Sequence, residues 1–598
     1  MRKRAHPGRL AVAAAAVAGL AALLVLPAAG HAAAGKSLSV DLSSTRGPST
    51  GVGEGFLYGI TEDGTQPADQ YLQPLGINAF RGGGWFSGGW VKDNYSYGSA
   101  TKADITSITA QARRLTQSPY HAQYQVLMSD LWGNNGGQPS NEVYPCDNGN
   151  CSNWVSFIDT TVAALQATGL PFAYDIYNEP DISVFWTRGM NSTQYFQMWD
   201  SAYKEIRRLA PNAKIVGPSL AFTPQSNPGE WNTWLAHVKA AGTVPDMITN
   251  HDEGDVDDPV TVSQSLNSAL SANGISARPL SANEYQPADR QTAGVTAWYL
   301  ARFAQSGYTN AMRGNWSCCV TPNLTGVLTQ SNGTWQPNGN WWAMRTYADM
   351  TGTLVNTSGQ VGSTAISASE DSSAKRAVAV IGDSNGYTGA ASVTFNGLAS
   401  VPWLASNGSV NVTVKRIPDQ YPLSAPQVVY NQNVSASSGS VTVPVTFQAT
   451  HDAFAVYVTP AGSSSGGTSG ELHAVGAGKC LDVPNSSTTA GTQTQIWDCS
   501  GGSNQVFTRT SSNQLTVYSG SSQMCLDANG QGAGNGTKVI IWSCNGQTNQ
   551  QWNVNSNGTV TSAQSGLCLD VTGAGTTNGT PVELWTCNGG SNQRWSLG

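Results

Sequence analysis

The chain has 598 residues, of which 11% are charged, with 30 basic and 37 acidic side chains and a net charge of −7. That length is too great for one core and calls for about three or four domains at roughly 150 residues each. An acidic balance with no basic run beyond the N-terminus speaks against nucleic acid, whose phosphates need clustered Lys and Arg. Abundant Gly (66) and Trp (19) among polar uncharged residues suit a secreted protein that meets neutral, ring-shaped ligands.

In chain order, Arg2, Lys3, Arg4 and Arg9 precede an apolar stretch from Leu10 to Ala29, followed by small residues at Ala32, Ala33 and Ala34. This is the layout of a secretory signal over residues 1–34; a membrane anchor is the competing reading of its length. From 35 to 352, short apolar runs alternate with amphipathic segments, the pattern of a parallel α/β fold. Candidate strands end near Tyr58, Arg81, Ser129, Asn178, Pro218, Asn250, Asn283 and Arg313. Helices are expected at Asp104 to Leu115, Trp154 to Thr168, Gln194 to Leu209, Trp231 to Ala241 and Ala293 to Ser306. Eight strands interleaved with helices match a (β/α)8 barrel. From 353 to 460 the pattern turns to alternating runs such as Ala377 to Ile381 and Phe454 to Val458, an accessory β-sandwich. The N-terminal run Ser37 to Leu42 is expected to contribute a strand to it. Residues 461–470 form a Gly/Ser linker.

The last 128 residues, 471–598, hold three copies of one unit. Cys-Leu-Asp recurs at Cys480, Cys525 and Cys568, then Trp-x-Cys at Trp497, Trp542 and Trp585, then Asn-Gln-x-[Phe/Trp] at Asn504, Asn549 and Asn592. Repeats of this length stack to share a core. The triplet resembles the ricin B-type β-trefoil of carbohydrate-binding module family 13. That resemblance implies sugar sites built from Asp482, Trp497 and Asn504; Asp527, Trp542 and Asn549; and Asp570, Trp585 and Asn592. The competing reading makes the tryptophans part of the repeat core. Gln495 and Glu583 stand two residues before the tryptophan of copies one and three, where they would pair with the aspartate. Copy two has Ile540 there and is expected to be the weakest.

Ten cysteines fit an exported chain. Cys480 with Cys499, Cys525 with Cys544, and Cys568 with Cys587 have equal spacing and read as one disulfide per repeat. Cys146 and Cys151 bracket a turn-rich loop and are expected to pair, leaving adjacent Cys318 and Cys319 to close a vicinal ring; crossed pairing between the two loops is the alternative. The spacings lack Cys-x-x-Cys knuckles, so no zinc site is expected.

Two apolar runs end in a glutamate: Asp175-Ile176-Tyr177-Asn178-Glu179-Pro180 and Leu280-Ser281-Ala282-Asn283-Glu284-Tyr285. Glycosidic cleavage takes two carboxyl groups, one protonating the leaving oxygen and one acting at the anomeric carbon. Asn-Glu-Pro at a strand end resembles the acid/base motif of clan A glycoside hydrolases, and the sandwich makes family 39 the most similar, with families 30, 5 and 79 as neighbours. The resemblance implies Glu179 as acid/base, Glu284 as nucleophile, Asn178 as ligand of the sugar 2-hydroxyl, and Arg81 holding the nucleophile ionised. It also implies His251 at the end of strand six and Trp316 beneath the reacting sugar. The tyrosine common near that histidine is replaced by Asp252 and Glu253, so Tyr285 is a candidate partner for the nucleophile. The acidic run from Asp252 to Asp258 reads as a solvated loop, with calcium as the alternative. Trp85, Phe86, Trp90, Trp132, Trp186 and Trp316 crowd the strand exits, and some of them are expected to stack on sugar.

The resulting expectation is a secreted retaining glycosidase acting on plant cell-wall polysaccharide, β-xylosidase-like or specific for arabinose- or galactose-containing side chains. It needs no cofactor or metal, and its partner is an oligo- or polysaccharide. An endo-acting glycanase of a related family, or a carbohydrate-binding protein with an inactive barrel, are the rivals.

Overall fold

The computed structural model describes residues 35–83, 89–129, 143–254, 257–314, 321–405, 408–461, 469–510, 512–555 and 558–597. The expected signal segment, the linker over 462–468, Trp85, Phe86, Trp132, Trp316, Cys318 and Cys319 lie outside them.

Eight parallel strands close a barrel in chain order: Gly55–Leu57, Ala79–Gly83, Gln123–Leu127, Phe172–Asp175, Lys214–Leu220, Met247–Asp252, Leu280–Tyr285 and Asn310–Arg313. The first pairs with the last through Gly55↔Met312 and Phe56↔Arg313. All eight expected strand positions are occupied. Most of the helices between them bury one face, and the starts of two are chemically marked. Ser192 accepts from the Tyr195 amide at the head of Thr193–Leu209, and Asn227 followed by Pro228 opens Pro228–Ala241. Two further helices, Pro259–Ala272 and Gly339–Ala348, start at Asp258 and Asn338.

Asp258 corrects the reading of the acidic run as a solvated loop. It caps a helix through the Val260 amide and pairs with Arg302, while Asp252 ends the sixth strand fully buried. Among the described residues, the run supplies no group of three metal-type ligands.

The second domain is a nine-stranded sheet in the order Gln427–Ser435, Ser409–Ile417, Ala453–Pro460, Arg376–Asp383, Thr364–Asp371, Thr353–Ser358, Lys36–Pro48, Gly389–Asn396 and Val441–Phe447. Lys36–Pro48 falls inside the 35–352 range yet pairs with Thr353–Ser358 and Gly389–Asn396, so the chain starts in this sheet before entering the barrel. Along Arg376–Asp383 the two-residue period splits the strand between two cores. Ala377, Ala379 and Ile381 join the sheet's own cluster, while Val378 and Val380 join that of the barrel. The barrel-side partner is the helix Ala293–Phe303, which is buried nearly all round. Backbone approach is closest at Gly382, where an added Cβ would lie 2.2 Å from the Trp298 nitrogen and 2.3 Å from the Gly294 oxygen.

The C-terminal strands, from Ser469–Ala474 to Trp595–Leu597, pair as a trefoil with its own core. Phe507, Trp552 and Trp595, the aromatic ends of the three Asn-Gln-x-[Phe/Trp] motifs, fill that core. Among the described residues four disulfides are formed, Cys146–Cys151, Cys480–Cys499, Cys525–Cys544 and Cys568–Cys587, so crossed pairing of Cys146 or Cys151 is overturned. No helix among the described residues is long and apolar enough to cross a membrane.

Candidate active site

Glu179 follows the fourth strand and Glu284 lies on the seventh, both at the C-terminal end of the barrel. In parallel barrels that end carries chemistry, because the strands deliver side chains there and the loops are free to vary. Glu179 has φ +41°, a left-handed conformation uncommon for a residue with a side chain, and its amide donates to the Ser219 carbonyl at 3.0 Å. Such backbone is kept where the surroundings over-determine it.

His251, on the sixth strand, stands between the two acids. Its Nδ1 is 2.7 Å from Glu179 Oε1 and 3.5 Å from Glu284 Oε2. The nearest polar atoms of Glu179, His251 and Glu284 all lie within 4.8 Å of one another. A retaining mechanism needs carboxyl groups about 5–5.5 Å apart, whereas inversion needs a wider gap for water. The same three groups have metal-type spacing, as do His473, Cys480 and Cys499. The latter two sulfurs are spent in a disulfide, and the former are engaged with each other and with Arg81.

Arg81 ends the second strand fully buried. Its Nε donates to Asp175 Oδ2 at 2.8 Å, its Nη2 to Asn178 Oδ1 at 2.8 Å, and its Nη1 to Glu284 Oε1. Burial alone would lower its pKa, but the Asp175 and Glu284 carboxylates outweigh that and raise it. The Asn178 oxygen is thereby occupied, which leaves its NH2 group as the donor toward a ligand.

The acids differ in their partners. Burial pushes Glu179 up to about 7, with Arg81 pulling the other way. Burial also raises Glu284, against His251 and Arg81, which favour its charged form. Only Glu284 takes a direct hydrogen bond from the guanidinium, so the anion belongs on Glu284 and the proton on Glu179. His251 is lowered to about 4 by burial, which makes it a neutral imidazole at neutral pH.

Several supporting residues lie in the quoted motifs without having been assigned a role. Asp175 accepts from Arg81, from Ser219 Oγ at 2.9 Å and from Asn283 Nδ2 at 3.0 Å. Ser219 in turn meets Thr249 at 2.8 Å. A buried Asp at a strand end, three residues before Asn-Glu, was the available signal. Phe222 is 46% exposed, while Asp181 accepts from its amide at 2.9 Å and Trp231 Nε1 donates to its carbonyl at 2.7 Å.

One expectation is corrected, and two open readings are decided. Tyr285 is not at the site; successive strand side chains face opposite ways, and its hydroxyl donates to the Gly53 carbonyl at 3.1 Å among Tyr299 and Phe303. Trp90 and Trp186 are core residues, each only 2% exposed. Trp497, Trp542 and Trp585 are not core residues; they are 43%, 43% and 41% exposed.

In each trefoil repeat the asparagine donates to the aspartate: Asn504 to Asp482 at 2.7 Å, Asn549 to Asp527 at 2.9 Å and Asn592 to Asp570 at 2.9 Å. Gln505, Gln550 and Gln593 donate to the same three aspartates. Gln495 adds a donor to Asp482 at 2.9 Å, and the cleft there, of about 340 Å³, is lined by Asp482, Gln495, Trp497 and Asn504. Glu583 does not act as the matching donor. It faces Asp570 across the ladder, and its negative charge adds to burial in raising that aspartate.

Residues 468–595 match the family described as ricin-type beta-trefoil lectin domain. The C-terminal domain is a ricin-type trefoil. The chain is 22% identical over 368 residues to a 3-O-alpha-D-galactosyl-alpha-L-arabinofuranosidase of Bifidobacterium longum subsp. longum, covering 53% of this chain and 30% of that protein. The chain therefore spans less than a third of that relative's length. Among solved structures, N2152 from Neocallimastix frontalis superposes with TM-score 0.60 at 24% identity, over 71% of this chain and 100% of that one. A GH39 enzyme from Xanthomonas axonopodis pv. citri superposes with TM-score 0.48 at 13% identity, over 73% of this chain and 99% of that one. The bifidobacterial relative is named as a glycosidase, and the barrel with its sheet domain has the fold of N2152.

Proposed function

We propose that this chain is a secreted retaining glycosidase that removes arabinofuranose-containing side chains from plant cell-wall polysaccharide. One observation carries the reading: two glutamates from the fourth and seventh barrel strands, bridged by His251 and with one held by Arg81. Glu179 protonates the leaving oxygen while Glu284 attacks the anomeric carbon. Water, deprotonated by Glu179, then releases the sugar from Glu284 with retained configuration. Asn178 holds the 2-hydroxyl and Arg81 keeps the nucleophile ionised. The arabinofuranoside assignment is supported by the name of the bifidobacterial relative. The acidic site favours a neutral sugar. The trefoil holds the enzyme on its polymer, and the disulfides suit an oxidising compartment.

The test is hydrolysis of 4-nitrophenyl α-L-arabinofuranoside and β-D-xylopyranoside, with NMR of the first-formed sugar. Wild type is expected to give retained configuration. Glu284→Ala and Glu179→Ala are each expected to fall by several orders of magnitude, with azide rescuing Glu284→Ala to an inverted glycosyl azide. Inverted product from wild type overturns the assigned roles.

A further inference from the structure

A third carboxyl group enters the site and has no task in the mechanism above. Glu253 directly follows the sixth strand, two residues after His251. It is only half-buried as a residue, yet its Oε1 is shut off from solvent and meets no hydrogen-bond donor among the described residues. Its place is set by Gly314, just beyond the eighth strand. A Cβ on Gly314 would lie 2.3 Å from Glu253 Oε1 and 3.5 Å from the Cβ of Glu284. The missing side chain of Gly314 is therefore what lets the Glu253 carboxyl sit beside the nucleophile. After burial, the charges that act on Glu253 are those of Glu284, Glu179, Arg81 and Asp252, so it shares the field of both catalytic acids.

A structural carboxyl in such surroundings would be paired. Arg81, the cation nearest the acids, is instead fully committed to Asp175, Asn178 and Glu284. An enclosed carboxyl oxygen without a donor is unfavourable as it stands, and the group that comes to this place during turnover is the sugar. Building on the function proposed above, we propose that Glu253 is a sugar ligand that hydrogen-bonds a hydroxyl of the glycone other than the 2-hydroxyl taken by Asn178. Burial and the two glutamates push Glu253 well above the usual carboxylate range. A neutral carboxyl both donates and accepts, as a sugar hydroxyl does. The substrate class is a neutral sugar, because a glycuronide carboxylate would stand beside the Glu284 anion.

The experiment is a cycle between enzyme and substrate. Wild type, Glu253→Ala and Glu253→Gln are assayed on 4-nitrophenyl α-L-arabinofuranoside and on its 3-deoxy and 5-deoxy forms. Glu253→Ala is expected to lower kcat/KM on the intact sugar by on the order of 10- to 100-fold, the range for an unpaired buried partner. One deoxy substrate is expected to cost wild type a similar factor and to cost Glu253→Ala nothing further. Glu253→Gln, which keeps the shape and a donor, is expected to recover part of the loss. Gly314→Ala removes no group that touches sugar but displaces the Glu253 carboxyl, and is expected to reproduce the loss with the same deoxy pattern. Equal factors for wild type and Glu253→Ala on every deoxy substrate would overturn the proposal, and thermal melting separates that result from misfolding. If β-D-xylopyranoside proves the better substrate, the cycle is run on its 3- and 4-deoxy forms. That outcome rejects the arabinofuranoside assignment while still deciding the role of Glu253.

Discussion

At the scale of single residues, the site separates groups that look alike in sequence. Glu179 and Glu284 are both glutamates at apolar strand ends, and what divides them is which one the guanidinium touches. Glu179, pushed up to about 7 by burial, must be protonated in the proposed mechanism for the reaction to start. Rate is therefore expected to fall as pH rises through about 7, while protonation of Glu284, also raised by burial, sets a separate acid limb. On 2,4-dinitrophenyl glycosides, whose leaving group needs no proton, the Glu179→Ala variant should lack this alkaline limb. An unchanged limb in that variant assigns it to another group. His251, lowered to about 4, stays neutral across this range and supplies no limb of its own. Asp252 presents the opposite case, a buried acid with neither oxygen partnered among the described residues. Burial, followed by the charges of Asp257 and Asp258, raises its pKa well above the usual range. The folded state thus keeps a proton that the unfolded chain releases above roughly pH 4, so this group costs stability progressively as pH rises. Asp252→Asn is expected to melt higher than wild type at pH 7, with the gap closing toward pH 4. A gap that widens on acidification would contradict this.

At the scale of elements, the helix Ala293–Phe303 joins the barrel to the sheet domain. Helix and sheet meet through backbone at Gly382, without the layer of side chains that usually separates such layers. A Cβ there would strike the Trp298 nitrogen and the Gly294 oxygen at 2.2 and 2.3 Å, neither of which can swing away. Gly382→Ala is therefore expected to cost about 1–3 kcal/mol, the range for overpacking, read as a lower melting temperature of the full chain. A neutral result would mean that the two layers slide apart freely. In the trefoil, register decides what the repeat pattern left open. The Gln495 position faces Asp482, while its counterpart Glu583 sets a like charge against Asp570 and Ile540 offers nothing. Copy one is thus the best furnished of the three.

At the scale of the whole molecule, the barrel and the trefoil have separate cores, so the proposed catalysis and attachment are separable. Deleting residues 468–598 is expected to leave kcat/KM on aryl arabinofuranosides within about twofold. Release of arabinose from insoluble arabinan or arabinoxylan should drop about tenfold or more, because a tether raises local concentration without altering chemistry. Equal losses on both substrates would show that the trefoil takes part in the barrel's own turnover.

The eight strands, the three repeats and the pair of glutamates were legible in the residues alone. Period-two and helical patterns follow from local backbone geometry, and Asn-Glu-Pro and Cys-Leu-Asp are short enough to carry their meaning without a fold. The disulfides of the repeats were legible for the same reason, by their equal spacing. What the chain does not write down is which face a residue takes and what stands opposite. Tyr285 and Glu284 are neighbours in sequence and point to opposite sides of one strand. Trp90 and Trp186 fill the core, while Trp497 lies on the surface. The acidic run from Asp252 to Asp258 looked like one solvated loop, yet it includes a buried strand end, a carboxyl near Glu284 and a helix cap. Tertiary structure decided these because burial and pairing depend on residues from other strands, such as Arg81, Gly314 and Arg302, brought near by barrel closure.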